Sequence, residues 1–154
     1  MENLNIGQKA PAFEVKDMNG NLVTLESYRG KKVILYFYPK DDTPGCTAEA
    51  CSLRDNYSEL TSKGFVVIGV SADNEKSHSK FASKYNLPFI LIPDTDKVII
   101  KAYNAWGVKE KFGKRSEGII RKTYVISEQG IIEKIIDKVD TKNHASQILK
   151  ELGL

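Results

Sequence analysis

Two apolar runs set the limits on what this chain can fold into. Val33-Ile34-Leu35-Tyr36-Phe37-Tyr38 and Phe65-Val66-Val67-Ile68-Gly69-Val70-Ser71 are nearly continuous in bulky, β-branched or aromatic residues. Each reads as a strand covered on both faces. Between them, from Thr47 to Leu60, the chain lacks Pro and Gly and contains good helix formers, among them Ala48, Glu49, Ala50, Leu53 and Arg54. Strand, helix and strand in that order imply a right-handed crossover and parallel neighbours in one sheet.

The remaining pattern extends this unit. Phe13 to Leu25 alternates loosely around Met18-Asn19-Gly20-Asn21, a hairpin signal. Asn74 to Tyr85 places His78, Phe81, Ala82 and Tyr85 on one helical face, and Phe89-Ile90-Leu91-Ile92 is a third strand ended by Pro93. Val98 to Ala105 reads as a short helix, and Trp106 to Gly118 as a Gly- and Lys-containing loop. Two strands, Lys122 to Ile126 and Ile131 to Lys138, flank a turn at Ser127-Glu128-Gln129-Gly130, and Asn143 to Leu152 closes the chain as an amphipathic helix. The order hairpin, β, α, β, α, β, α, β, β, α describes an α/β sandwich with a mixed central sheet flanked by helices. Residues 1–154 are expected to form one domain.

Composition narrows the function. The start of the chain, Met1-Glu2-Asn3-Leu4-Asn5, has neither a basic nor an apolar leader region, and no run approaches the roughly 18 apolar residues of a membrane span. A soluble, cytoplasmic protein is expected. The net charge of +3 and the cluster Lys97, Lys101, Lys109, Lys111, Lys114, Arg115, Arg121 and Lys122 raise a nucleic-acid reading. Asp94, Asp96, Glu110 and Glu117 are interspersed among these bases, however, which describes a solvated surface better than a phosphate-tracking one. Two cysteines in a chain of this length are no disulfide scaffold; they are inert buried hydrophobes or redox groups.

The junction Tyr38-Pro39-Lys40-Asp41-Asp42-Thr43-Pro44-Gly45-Cys46 bears on that choice. Pro39 ends the first strand, and Cys46 falls at or beside the N-terminus of the following helix. There the unpaired N–H groups and the positive end of the dipole favour a thiolate. Pro44 and Gly45 let backbone approach the sulfur, and Thr43 brings a hydroxyl. Cys51 follows five positions later. On an intact helix the two Cα atoms stand about 8–9 Å apart on different faces, beyond the roughly 7 Å limit for a disulfide. Either the two thiols never meet, or they meet when the first turns unwind.

The segment Phe37-Tyr38-Pro39-Lys40-Asp41-Asp42-Thr43-Pro44-Gly45-Cys46-Thr47-Ala48-Glu49-Ala50-Cys51 resembles the active-site segment of peroxiredoxins of the bacterioferritin comigratory protein, or PrxQ, group. Gly7-Gln8-Lys9-Ala10-Pro11-Ala12-Phe13, Gly69-Val70-Ser71-Ala72-Asp73, Ser77-His78, Leu87-Pro88-Phe89 with Asp94, and Gly118-Ile119-Ile120-Arg121-Lys122-Thr123-Tyr124 are similar to the same group, so the likeness spans nearly the whole chain. Asn104-Ala105 where the group has Gly-Val, and Ser127 where it has Asp, depart from the pattern outside the catalytic loop. The resemblance implies a thioredoxin-like fold and reduction of hydrogen peroxide or alkyl hydroperoxides by a monomer recycled by thioredoxin or a similar dithiol. It makes Cys46 the peroxidatic nucleophile, passing through a sulfenic acid, and Cys51 the resolving cysteine that closes an intramolecular Cys46–Cys51 disulfide. Thr43 would hydrogen-bond the peroxide and the sulfur, Pro44 would shield the sulfenic acid from water, and Arg121 would hold the thiolate and polarise the O–O bond.

Competing readings are a redox sensor oxidised once without turnover, and a thiol–disulfide oxidoreductase, which the absence of Cys-x-x-Cys disfavours. Glu49 reads more readily as a solvated first-turn acid than as a residue orienting the network around Cys46. His78 and His144 lack metal-ligand spacing with a cysteine, Gly107 to Arg115 has the wrong spacing for a phosphate loop, and Trp106 and Tyr103 read as packing residues. No metal, haem, flavin or nucleotide motif is present, so no cofactor is expected.

Overall fold

The computed structural model describes residues 4–154. In chain order its elements are β1 (Glu14–Lys16), β2 (Leu22–Thr24), β3 (Lys32–Phe37), α1 (Pro44–Asp55), α2 (Tyr57–Ser62), β4 (Phe65–Ser71), α3 (Glu75–Tyr85), β5 (Ile90–Pro93), α4 (Val98–Ala102), β6 (Trp106–Lys111), β7 (Lys114–Ile119), β8 (Lys122–Ile126), β9 (Ile132–Ile136) and α5 (His144–Glu151). The central sheet runs β5-β4-β3-β8-β9. β3, β4 and β5 are parallel, whereas β8 and β9 join antiparallel. The alternation of strands and helices therefore gives the expected mixed sheet.

The apolar runs are continuous because the sheet is covered on both faces. Along β3 and its extension, Ile34, Tyr36 and Tyr38 enter one core while Val33, Leu35 and Phe37 enter the other. Side chains alternate across a pleat, so one strand serves two cores. The first core is closed by Ala50 and Leu53 of α1, Phe81 of α3 and Ile148 of α5; the second by Val23 of β2 and Ile99 and Ile100 of α4. Full burial of each large apolar side chain contributes about 1.5–3 kcal/mol, so disruption of β3 would be costly to both cores.

Three local expectations change. The Thr47 to Leu60 helix begins earlier, at Pro44, and breaks at Asn56, whose Nδ2 donates to the Ser52 carbonyl at 2.8 Å and competes with the next helical bond. The Val98 to Ala105 helix stops at Ala102. Trp106 to Gly118 is a hairpin, not a loop: β6 pairs with β7 around Phe112 and Gly113, both at positive φ (54° and 76°). That is the geometry of a tight hairpin turn, and Lys and Glu on its strands conceal the alternation.

Candidate active site

The C-terminal end of β3 delivers the chain into the loop at 39–43, which is fixed before the helix begins. Asp41 accepts from Tyr38 Oη at 2.6 Å and Ser77 Oγ at 2.8 Å, and faces His78 Nδ1 at 2.7 Å. Its backbone N–H donates to Asp73 Oδ2 at 2.8 Å. Asp42, at φ 58°, accepts from Lys84 Nζ and Tyr85 Oη, each at 2.7 Å. The loop is thus tied to α3 and to the end of β4. Asp41, Asp73 and His78 bring ligand atoms within 4.8 Å of one another, and the contacts just given already engage all three side chains.

Pro44 opens α1, where a missing N–H is harmless and φ is already helical. Cys46 lies in this first turn, 1% exposed, where the positive end of the helix dipole favours negative charge. Arg121, just before β8, donates from Nη2 to Cys46 Sγ at 3.3 Å and from Nη1 to Glu49 Oε1 at 2.6 Å. The sequence stretch 46–121 is long, but β8 lies beside β3, so its N-terminal end falls next to the start of α1. A Cβ on Gly45 would meet Arg121 Nη2 at 3.1 Å. The close approach that Gly45 permits is therefore to the guanidinium.

Thr43 is the N-cap residue, yet its hydroxyl donates to the Lys40 carbonyl at 2.8 Å. Its only proton is used there, and its lone pairs remain to accept a proton from a bound hydroxyl. Pro44 is exposed and Cys51 half-buried. Both cysteines are free thiols, and Cys51 lies outside the buried face formed by Cys46, Glu49, Ala50 and Leu53. The structure joins Cys46 and Arg121, sets Thr43 and Pro44 at the start of the same helix, and keeps Cys51 apart on it.

Glu49 is a correction. It is fully buried rather than solvated, because α1 turns it beneath Arg121 toward α5. Burial raises its pKa to about 7, against the lowering pull of Arg121. His144, also fully buried, faces Thr123 Oγ1 at 2.8 Å, Gln147 Oε1 at 3.0 Å and Glu49 Oε2 at 3.4 Å. Burial lowers its pKa to about 4. Burial works against the charge of Arg121, but Glu49 and Cys46 outweigh it and raise its pKa. Glu49 follows Cys46 by three positions, so the helical period alone carried the signal that they share a face.

A buried thiol touched by a guanidinium at a helix N-terminus is an arrangement that stabilises negative sulfur and can direct donors at an acceptor oxygen beside it. Comparison with known proteins supplies the context. Residues 6–135 match the AhpC/TSA family. The putative peroxiredoxin bcp of Coxiella burnetii is 46% identical, over 97% of this chain and 99% of the relative, and the peroxiredoxin Bcp of Bacillus subtilis 44%, over 97% and 95%. The structure of a cysteine-to-serine mutant of PrxQ from Xylella fastidiosa superposes with a TM-score of 0.91 at 29% identity, covering 99% and 98% of the two chains. The Xanthomonas campestris bacterioferritin comigratory protein superposes at 0.88 and 31% identity, covering 97% and 98%.

Proposed function

The chain belongs to the AhpC/TSA family, as a thioredoxin-like peroxiredoxin of the Bcp and PrxQ kind, and from that premise we propose how its thiols work. It is a thiol-dependent peroxidase. In our reading Cys46 is the peroxidatic nucleophile, and the observation that carries this is its 3.3 Å contact with Arg121 Nη2. The Xanthomonas campestris protein is described with alkyl peroxide reduction activity, which supports alkyl hydroperoxides beside hydrogen peroxide as substrates.

The thiolate of Cys46 attacks one peroxide oxygen, the O–O bond breaks, and the departing alkoxide or hydroxide takes a proton to leave as alcohol or water. Cys46 is left as sulfenic acid. Arg121 stabilises negative charge first on sulfur and then on the departing oxygen, where a preorganised donor lowers the barrier most. Thr43 accepts the peroxide O–H, and Pro44 screens the sulfenic acid. Cys51 then attacks the Cys46 sulfur, water departs, and an intramolecular disulfide forms once the first turns of α1 unwind. Helix ends open at low free-energy cost. A dithiol such as thioredoxin restores both thiols by exchange.

Resolution within one chain needs no second subunit, so a monomer formed of one domain over 1–154 is the reading, working in the cytoplasm. Among the described residues no helix is long and apolar enough to cross a membrane. Peroxide turnover coupled to a thioredoxin system tests the assignment: Cys46→Ser should abolish it, and retained turnover would overturn it. In wild type oxidised by peroxide, mass spectrometry should find the Cys46–Cys51 bond within one chain; a bond between chains would overturn the resolving step.

A further inference from the structure

Behind Arg121 lies a second layer of titratable groups that the peroxidase reading leaves unused. Glu49 gives Oε1 to Arg121, but its Oε2 has no hydrogen-bond partner among the described residues and faces His144 Nε2 at 3.4 Å. A fully buried carboxylate oxygen left this way is costly unless something compensates it.

The state of the His144 ring follows from its other neighbours. Gln147 Nε2 donates to the Lys138 carbonyl at 2.8 Å, and Gln147 Oε1 accepts from the Asp140 N–H at 2.8 Å. These two bonds orient the amide so that its oxygen meets His144 Nδ1 at 3.0 Å. An acceptor there places the ring proton on Nδ1 and leaves Nε2 with a lone pair. That lone pair faces Thr123 Oγ1 and Glu49 Oε2. Thr123 Oγ1, the nearer at 2.8 Å, donates its proton to that lone pair, so Nε2 turns an acceptor and no donor toward Glu49 Oε2; a charge on that buried oxygen would be uncompensated, which favours the neutral carboxyl.

The charge count points the same way. The titratable groups acting on Glu49 and His144 are Arg121, the Cys46 thiol of α1, the Tyr36 phenol of β3, and Asp140 ahead of α5. With the sulfur ionised and Glu49 neutral, Arg121 and Cys46 balance. With both acids ionised, one guanidinium is divided between two buried anions. The elevated titration of Glu49 and the depressed titration of His144 agree with a neutral pair.

We propose that His144 is a positioning residue for peroxide reduction: by turning an acceptor and no donor toward Glu49 Oε2 it keeps Glu49 neutral and leaves the Arg121 charge to the Cys46 sulfur. The pocket then keeps its proton on Glu49 rather than on the nucleophile. This rests on Cys46 being the reacting thiol.

The test titrates the thiolate absorbance of Cys46 in a Cys51→Ser background, where it is the single cysteine, so the readout does not depend on peroxide. His144→Asn keeps a donor toward Gln147 and removes Nε2. It should move thiolate formation upward by about one pH unit, or about tenfold less thiolate on the acid limb. Glu49→Gln, whose amide still accepts from Arg121 and carries no charge, should titrate at or below the parent, and adding His144→Asn to it should change nothing further. An unshifted His144→Asn that is folded by circular dichroism overturns the proposal, as does an equal upward shift in the Glu49→Gln background. Should His144→Asn fail to fold, Glu49→Gln alone decides, an upward shift counting against. No peroxide turnover in wild type, alongside titrations that shift as expected, would overturn the peroxidase role of Cys46 and with it His144 as a positioning residue, while leaving the charge coupling of Glu49 to the thiolate standing.

Discussion

Arg121 Nη2 lies 3.1 Å from where a Cβ on Gly45 would stand, so the guanidinium rests on the first turn of α1 only because residue 45 has no side chain. Gly45→Ala is expected to displace the guanidinium by a few tenths of an ångström or more from Cys46 Sγ. Stopped-flow peroxide oxidation should slow about tenfold or more, since small displacements of an aligned donor are costly to rate. Melting temperature should hardly move, because alanine suits a helix interior better than glycine.

Arg121→Lys separates charge from geometry. The native side chain reaches Cys46 and Glu49 with two different nitrogens, at 3.3 and 2.6 Å. An ammonium is a single point donor and cannot reproduce that fork. Peroxide reactivity is expected to fall by about 10²–10³, the scale of losing one oriented donor. Turnover within threefold of wild type would show that net charge alone suffices.

The pH dependence of stability separates the Glu49–His144 pair from its members. Glu49 has its pKa raised to about 7, so alone it favours the folded state below its ordinary 4.5 and loses that contribution as pH rises toward 7. His144 has its pKa lowered to about 4, so alone it favours the folded state above 6.5 and loses that contribution as pH falls toward 4. Near pH 5.5 the unfolded pair carries one proton on His144 and the folded pair one on Glu49, so the pair contributes little slope. Glu49→Gln removes that balance. Its unfolding free energy should rise with pH, relative to wild type, by roughly 1 kcal/mol per unit between about pH 4.5 and 6.5. Denaturant titrations across that window measure it, and parallel curves would contradict the pair.

His78→Leu removes one of three side-chain partners of the buried Asp41 carboxylate. Removing one hydrogen-bond partner from a buried polar side chain costs about 1–3 kcal/mol, read as a lower midpoint in chemical denaturation. His78→Asn, which can still reach Asp41 with an N–H, should recover part of that.

The strand pattern was legible because burial on two faces leaves an unmistakable apolar run, as in Val33 to Tyr38. Cys46 was legible because a helix start at Pro-Gly is a local signal, although the helix begins at Pro44 itself rather than after Gly45. The β6–β7 hairpin was not, since its charged strands project from the body and only the positive-φ pair Phe112 and Gly113 marks the turn. Glu49 was misread for a related reason. An acid in a first helical turn is ordinarily solvated, and what buries this one comes from Arg121 and His144, far along the chain and invisible to local pattern. Arg121 itself stood out only through family likeness.

The tethers on either side of α1 acquire a mechanical meaning once the helix opens. Asp41 and Asp42 bind the chain to α3 just before it, and near its far end Arg54 Nη1 donates to the Tyr85 carbonyl at 2.8 Å. Helical residues advance about 1.5 Å each and extended ones about 3.3 Å, so residues unwound between fixed ends gain contour length with nowhere along the axis to put it. The sheet blocks the inward direction. On the proposed cycle the surplus loops outward and carries the Cys46 sulfur from its covered pocket toward solvent, where a reducing dithiol can meet it.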